Sequence, residues 1–173
     1  MKHGLKVAAL ALAIGLSGAV SAMAEQVKVG FAAEPYPPFT SLDASGKWVG
    51  WEVEFADAVC KEAKLDCVIT PVSWDGIIPA LTTKKIDAIA ASMSITEERK
   101  KSIDFSEPYV KTGLAILAGK DAPVQSVTDL QAAGRKVVVR LGTTGESWAR
   151  QNLPKAEIKA LDLDTSCVME VVN

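Results

Sequence analysis

The sequence predicts an α/β fold with a largely parallel sheet, laid out as two successive units. Short β-branched runs alternate with stretches of helical spacing, a pattern that places crossover helices between parallel strands. The pattern breaks at Gly119-Lys120-Asp121-Ala122-Pro123 and then starts again, which marks the second unit.

The elements follow in order. Val27-Lys28-Val29-Gly30-Phe31 alternates apolar and polar residues as a strand does. Glu34-Pro35-Tyr36-Pro37-Pro38-Phe39 is a loop stiffened by prolines that fix their own φ. Asp43-Ala44-Ser45-Gly46-Lys47 has turn composition. A helix is expected from Glu52 to Lys64, with Phe55, Val59 and Ala63 four apart on one face. Its first turn carries Glu52 and Glu54, which suit the positive end of the helix dipole. Cys67 to Val72 is the next strand, and Asp75 is placed to cap a helix reaching Lys84, with Pro79 tolerated in the first turn. Ile86 to Ala90 forms a third strand, and Thr96-Glu97-Glu98-Arg99-Lys100 opens another helix. An apolar extended run over Gly113–Ala118 leads to the break. Beyond it, Ser126-Val127-Thr128-Asp129 has capping-box spacing. Lys136 to Arg140 is β-branched, Leu141–Gly145 turns into a helix carrying Trp148, Ile158 to Leu161 is a strand and Thr165 to Val172 a helix.

Residues 1–24 have the parts of a secretory leader. Lys2, His3 and Lys6 give a basic start, Val7–Leu16 an apolar centre, and Ala22-Met23-Ala24 a small-residue cleavage site ahead of Glu25. The apolar run is well short of the ~20 residues of a membrane span. Net charge is −2 for the whole chain and becomes −4 once Lys2 and Lys6 leave with the leader. That balance offers no basic stripe to nucleic acid. A single His and no clustered Cys/His pairs exclude an ordinary zinc site, and no cofactor is called for. Cys60 and Cys67 admit two states, a disulfide in an oxidising compartment or a pair of buried thiols. Cys167 is left over as a packing residue in an apolar helical stretch.

Chemistry concentrates at two strand-to-helix junctions, Ala91 to Arg99 and Gly142-Thr143-Thr144-Gly145. Ligands of open α/β sheets bind beyond the carboxyl ends of strands, and free N–H groups at helix starts favour anions. Arg99 can grip a carboxylate through paired hydrogen bonds, while Ser92 and Ser94 offer oxygens to an ammonium group. An anion site beside an ammonium site is what a free α-amino acid needs.

Gly50-Trp51-Glu52-Val53-Glu54-Phe55 with Val59-Cys60, then Ile86-Asp87-Ala88-Ile89, Ser94–Arg99 and Ile103-Asp104-Phe105-Ser106-Glu107-Pro108-Tyr109, resemble motifs of one family in the right order. From Val27 to Leu161 the chain resembles the periplasmic binding proteins for polar amino acids, solute-binding family 3. The departure is Trp51, where other apolar or aromatic residues are usual. The resemblance implies the two-lobe type II periplasmic binding fold, with lobes over residues 25–114 and 115–173. It implies roles as well. Arg99 would bind the α-carboxylate with the backbone N–H groups of Ser94 and Thr144, and the Ser92 carbonyl and Ser94 hydroxyl would receive the α-ammonium. Tyr36 and Trp74 would sandwich the ligand side chain, with Met93, Arg140 and Thr143 completing the set. The Cys60–Cys67 spacing resembles a disulfide of some members.

Arg140, at the end of its strand, is read as pointing into the cleft and disfavouring a cationic ligand, with Glu34 arguing the other way; a polar neutral or acidic amino acid is expected. Family members continue into a strand bearing an Asp for the α-ammonium, so the second lobe is expected to be incomplete here. The function implied is a monomeric periplasmic protein that delivers an amino acid to the membrane permease of an ABC importer. A receptor's sensing module and an exported dehydratase of the same fold are the alternatives. An enzyme would need an acid or base poised over substrate, and the sequence shows no such set.

Overall fold

The structure is a computed structural model describing residues 26–172. The leader, its cleavage site and Glu25 lie outside the described residues. The chain runs β1 (Val27–Ala32), β2 (Ser41–Leu42), β3 (Trp48–Val49), α1 (Trp51–Glu62), β4 (Cys67–Val72), α2 (Ile77–Thr82), β5 (Ala88–Ile89), α3 (Glu97–Lys100), α4 (Val127–Leu130), β6 (Lys136–Arg140), α5 (Thr144–Asn152), β7 (Glu157–Leu161) and α6 (Asp164–Val172).

One sheet has the order β4-β1-β5 and is parallel throughout, with Val27 opposite Cys67 and Val29 opposite Ala88. A second pairs β6 with β7 in parallel, Lys136 opposite Glu157. The α/β expectation holds on both sides of the Gly119–Pro123 break. The Asp43–Lys47 turn closes the small antiparallel β2–β3 hairpin, whose strands the sequence reading missed. Asp43 there accepts the N–H groups of Ser45 and Lys47 and the Ser45 hydroxyl, which hold its carboxyl below the usual range.

Each sheet has its own core. Val29, Phe31 and Val53 pack together with Ala56, Cys60 and Ile69 around them, while Ile77, Ala80 and Ile86 fill the space beneath α2. Leu130, Val139, Ala149 and Leu153 form the core of the second sheet. The face of α1 that enters the core is therefore that of Val53, Ala56 and Cys60. The expected Phe55–Val59–Ala63 stripe points outward instead: Phe55 is 36% exposed and Val59 49%. Phe55 stacks on Trp51 and Tyr109 at ring separations of 5.3 and 5.1 Å. Four-residue spacing identified a stripe but not which of two stripes faces the sheet.

Asp75 does not cap α2. It lies in a 3₁₀ turn, Trp74–Gly76, that leads into the helix, and the helix ends at Thr82. The hydroxyls of Thr82 and Thr83 donate to the Pro79 carbonyl there, and Lys84 turns the chain away with φ 59°. Of the expected strand Ile86–Ala90 only Ala88–Ile89 pairs, while Ile86 is buried under α2. Asp129 caps α4 by accepting the backbone N–H groups of Gln125 and Ser126. The run Gly113–Ala118 belongs to no sheet, and Leu114, Ile116 and Leu117 are exposed.

Cys60 and Cys67 are joined in a disulfide that ties the end of α1 to the start of β4. Closing so short a loop contributes about 2.5 kcal/mol on the chain-entropy estimate. Reduction is expected to lower the urea midpoint by that equivalent; an unchanged midpoint would show that the bond adds nothing to stability.

Candidate functional site

The residues read as ligand-binding arrive at one cleft from both sheet units. β1 ends at Ala32 and delivers the loop carrying Glu34 and Tyr36; β4 ends at Val72 and delivers Trp74; β5 ends at Ile89 and delivers Ser92 and Ser94. All lie beyond the carboxyl ends of parallel strands, where the crossover geometry leaves a crevice. From the other unit, β6 ends at Arg140 and the turn Leu141–Thr143 starts α5. Tyr36, Trp74, Ser92, Ser94, Arg99, Arg140, Thr143 and Thr144 all line this concavity. Met93 is the exception: it packs against the Ile77–Ala80–Ile86 core and does not line the concavity.

Arg99 is held at the base of α3, where the Thr96 hydroxyl caps the helix by accepting the Arg99 backbone N–H at 3.2 Å. Its guanidinium is half-buried and donates to the carbonyl of Ser94 at 2.8 Å and to that of Gly142 at 3.0 Å. Burial lowers its pKa, yet an arginine keeps its charge at any physiological pH. Two carbonyls satisfy only part of a group with five N–H donors, so an anion can still be accepted.

Trp74 forms the wall. Its indole N–H donates to the same Gly142 carbonyl at 3.2 Å, and the guanidinium carbons of Arg99 and Arg140 each lie 5.5 Å from its ring centroid. Both cations are within the range of an attractive interaction with an indole face. The Gly142 carbonyl thus joins the units through two donors from the first. Gly142 has φ 72°, which a glycine adopts without strain. The sequence places Gly142 in the second strand-to-helix junction, but nothing in the residue pattern shows which carbonyl faces the other sheet unit.

Arg140 departs from expectation. Its side chain is 9% exposed and pairs with Glu34 and with Asp164, each at 2.7 Å. Glu34 belongs to the loop after β1 and Asp164 to the first turn of α6, so this cluster also bridges the units. The two charges weighed against each other from the sequence neutralise each other in space. One polar atom of Arg140, Nε, is buried with no partner among the described residues.

At α5 the Thr143 hydroxyl donates to the Arg140 carbonyl at 2.7 Å and accepts the Glu146 N–H at 3.2 Å. That double role fixes the turn and leaves Thr144 first in the helix, where backbone N–H groups have no partner within the helix. Tyr36 stands at the rim, 46% exposed and stacked on Phe39 at 5.4 Å. Cys167 is half-buried on the same concavity, and burial raises its thiol pKa, so it stays protonated. Glu52 is a residue whose importance the sequence reading missed. It is 1% exposed and lines the cleft, accepting the Ser92 N–H at 2.5 Å and the Tyr109 hydroxyl at 2.7 Å.

The geometry has clear counterparts among known proteins. Residues 27–161 match the model of the bacterial extracellular solute-binding proteins, family 3. The L-cystine-binding protein of Escherichia coli (strain K12) is 38% identical over 131 residues, which is 75% of this chain and 48% of that protein. The L-arginine-binding protein of Pseudomonas aeruginosa is 36% identical over 163 residues, 93% of this chain and 61% of that one. Among solved structures, an ancestral amino acid-binding protein described as a precursor of cyclohexadienyl dehydratase superposes with TM-score 0.79 at 42% identity, covering 85% of this chain and 66% of that one. An ancestral arginine-binding protein bound to arginine superposes with TM-score 0.75 at 38% identity, covering 84% and 65%. The chain spans about half to three fifths of the length of these curated relatives.

Proposed function

This chain belongs to the bacterial extracellular solute-binding proteins, family 3, and from that premise we propose that it captures a free amino acid between two lobes and delivers it to the permease of an ABC importer. The lobes are residues 25–114 and 115–173, preceded by a leader over 1–24 that sends the protein to the periplasm, where it acts as a monomer. The observation that carries this reading is the convergence of Arg99, Ser94 and Trp74 with the Gly142–Thr144 turn of the other sheet unit. Arg99 receives the α-carboxylate together with the N–H groups of Ser94 and Thr144. The Ser92 carbonyl and Ser94 hydroxyl accept from the α-ammonium. Tyr36 and Trp74 flank the side chain, with Arg140 and Thr143 behind it.

The ligand side chain is polar. Pairing of Arg140 with Glu34 and Asp164 removes the ground for disfavouring cationic side chains, so neutral, acidic and basic amino acids all belong in the trial. We take the protein as a binder and not an enzyme. The carboxylates nearest Arg99 and Trp74 are engaged, Glu34 and Asp164 by Arg140 and Glu52 by Ser92 and Tyr109, and none of these three is free as a general base.

The test is a thermal melt of the chain alone and with each of the twenty amino acids. A ligand that binds only the folded state stabilises it by about 2.7 kcal/mol at a hundred times its Kd. One or a few polar amino acids are expected to raise the midpoint. A midpoint indifferent to all of them would overturn the reading for this chain.

A further inference from the structure

Among the described residues Glu52 is the buried carboxylate, 1% exposed, and no Lys or Arg of those residues forms an ion pair with it. Such a group survives burial only if other donors compensate it. Three do so here. It sits in the first turn of α1, at the positive end of the helix. It also accepts two hydrogen bonds on one oxygen, from the Ser92 N–H and the Tyr109 hydroxyl. Burial and the bond to Glu52 push the Tyr109 hydroxyl above its ordinary pKa, so it stays a donor.

The first of those bonds falls on an unusual residue. Ser92 has φ 46°, in the left-handed region that an L-residue with a side chain holds only under constraint. Ser92 stands in the loop beyond the end of β5 at Ile89, and the chain turns there so that Ser94 reaches the cleft. Its hydroxyl is buried without a partner, and its carbonyl accepts no hydrogen bond from the described residues. A bond to a carboxylate is stronger than one to a neutral acceptor, and here it ties the strained residue to the start of α1.

We infer that Glu52 is a positioning residue of the amino-acid site: it holds the Ser92 backbone in its left-handed turn, which presents the Ser92 carbonyl and Ser94 to the ligand's ammonium group. The inference rests on the amino-acid reading of the cleft. Glu52 acts through Ser92 and touches no ligand atom in this account.

The experiment titrates the full chain calorimetrically with whichever amino acid raises its melting midpoint most. The variants are Glu52→Ala, Glu52→Gln, Ser92→Gly, the double variants Glu52→Ala/Ser92→Gly and Glu52→Gln/Ser92→Gly, and Arg99→Ala as the control for the site. Glu52→Ala is expected to weaken binding by about tenfold or more, the loss of one charge-assisted bond, and Glu52→Gln by less. Glycine takes a positive φ freely, so each double variant should bind within about threefold of Ser92→Gly alone. If Glu52→Ala does not fold, the near-isosteric Glu52→Gln pair carries the comparison. Glu52 variants that bind as the wild type does, or double variants no tighter than their Glu52 parents, overturn the inference while leaving the site reading intact if Arg99→Ala still abolishes binding. A wild type that binds no amino acid, or an Arg99→Ala variant that binds as well as it does, overturns the site reading and this inference together.

Discussion

Arg99→Ala is expected to abolish measurable amino-acid binding, with a loss of about 3 kcal/mol or more, beyond a hundredfold in Kd. The size follows from what the side chain does. It stands third in the four-residue α3, half-buried between the Ser94 and Gly142 carbonyls, and lines the cleft with N–H donors to spare. A carboxylate brought into this site loses its hydration, and without the guanidinium it would be left buried beside Trp74 and two backbone carbonyls that repel it. Arg99→Lys separates charge from geometry. Lysine restores the positive charge but not the planar fork, so it should recover only part of the affinity. The unliganded protein should be little affected, within about 1 kcal/mol, since the bonds lost are partly exposed. Isothermal calorimetry decides: an Arg99→Ala variant with undiminished affinity would remove the carboxylate from this position.

How much of this was legible in the sequence varied with the range of the interaction concerned. The order of strands and helices is legible nearly throughout, because it rests on local periodicity and on punctuation by glycine and proline. Ser92, Ser94, Arg99 and the Gly142–Gly145 turn are legible because they follow strand ends, where an open sheet leaves its crevice, whereas Tyr36 and Trp74 enter only through the family resemblance. What the sequence hid were pairings across long separations. Arg140 and Glu34 lie 106 residues apart, and Glu52 and Ser92 lie 40 apart. In the sequence the first pair gives two opposed hints about the ligand, and only proximity shows that they cancel. The sequence marks Glu52 as a helix-dipole residue, but a dipole argument applies equally to Glu54, which is exposed. Position on the helix decides between them: Glu52 turns toward β5 while Glu54 turns to water.

The outward stripe of α1 had a similar cause. Trp51, Phe55 and Val59 satisfy helical spacing as well as Val53, Ala56 and Cys60 do, so the period does not choose the buried face. The disulfide does, because Cys60 must meet Cys67 at the start of β4. The Trp51 substitution noted in the motif fits the outer face: its ring stacks on Phe55 and Tyr109 at the surface, where a large side chain displaces nothing.

Gly50→Ala is expected to be the most damaging single-methyl change in the first sheet unit, costing about 3 kcal/mol or more. Gly50 precedes α1 with φ 124°, a conformation that side chains rarely adopt. A Cβ there would lie 2.3 Å from the Phe39 carbonyl oxygen and 2.7 Å from its carbon. These are backbone atoms, and they cannot step aside without breaking the hydrogen bonds that Pro38 and Phe39 accept from Trp51 and Glu52. The clash therefore falls on the turn that delivers Glu52 to Ser92. Two measurements follow from that geometry. The urea midpoint should drop sharply, and whatever fraction remains folded should bind its amino acid more weakly, because α1 must shift away from the β5 loop. The comparison that isolates the cause is Gly46→Ala, at another positive-φ glycine (φ 81°) with nothing within 4 Å of the added Cβ. That change bears backbone strain alone and lies far from the cleft in the β2–β3 turn, so it should cost about 1 kcal/mol and leave affinity unchanged. Equal costs at the two glycines would mean that the close approach to Phe39 contributes nothing, and that the glycine before α1 serves only its own dihedral angle.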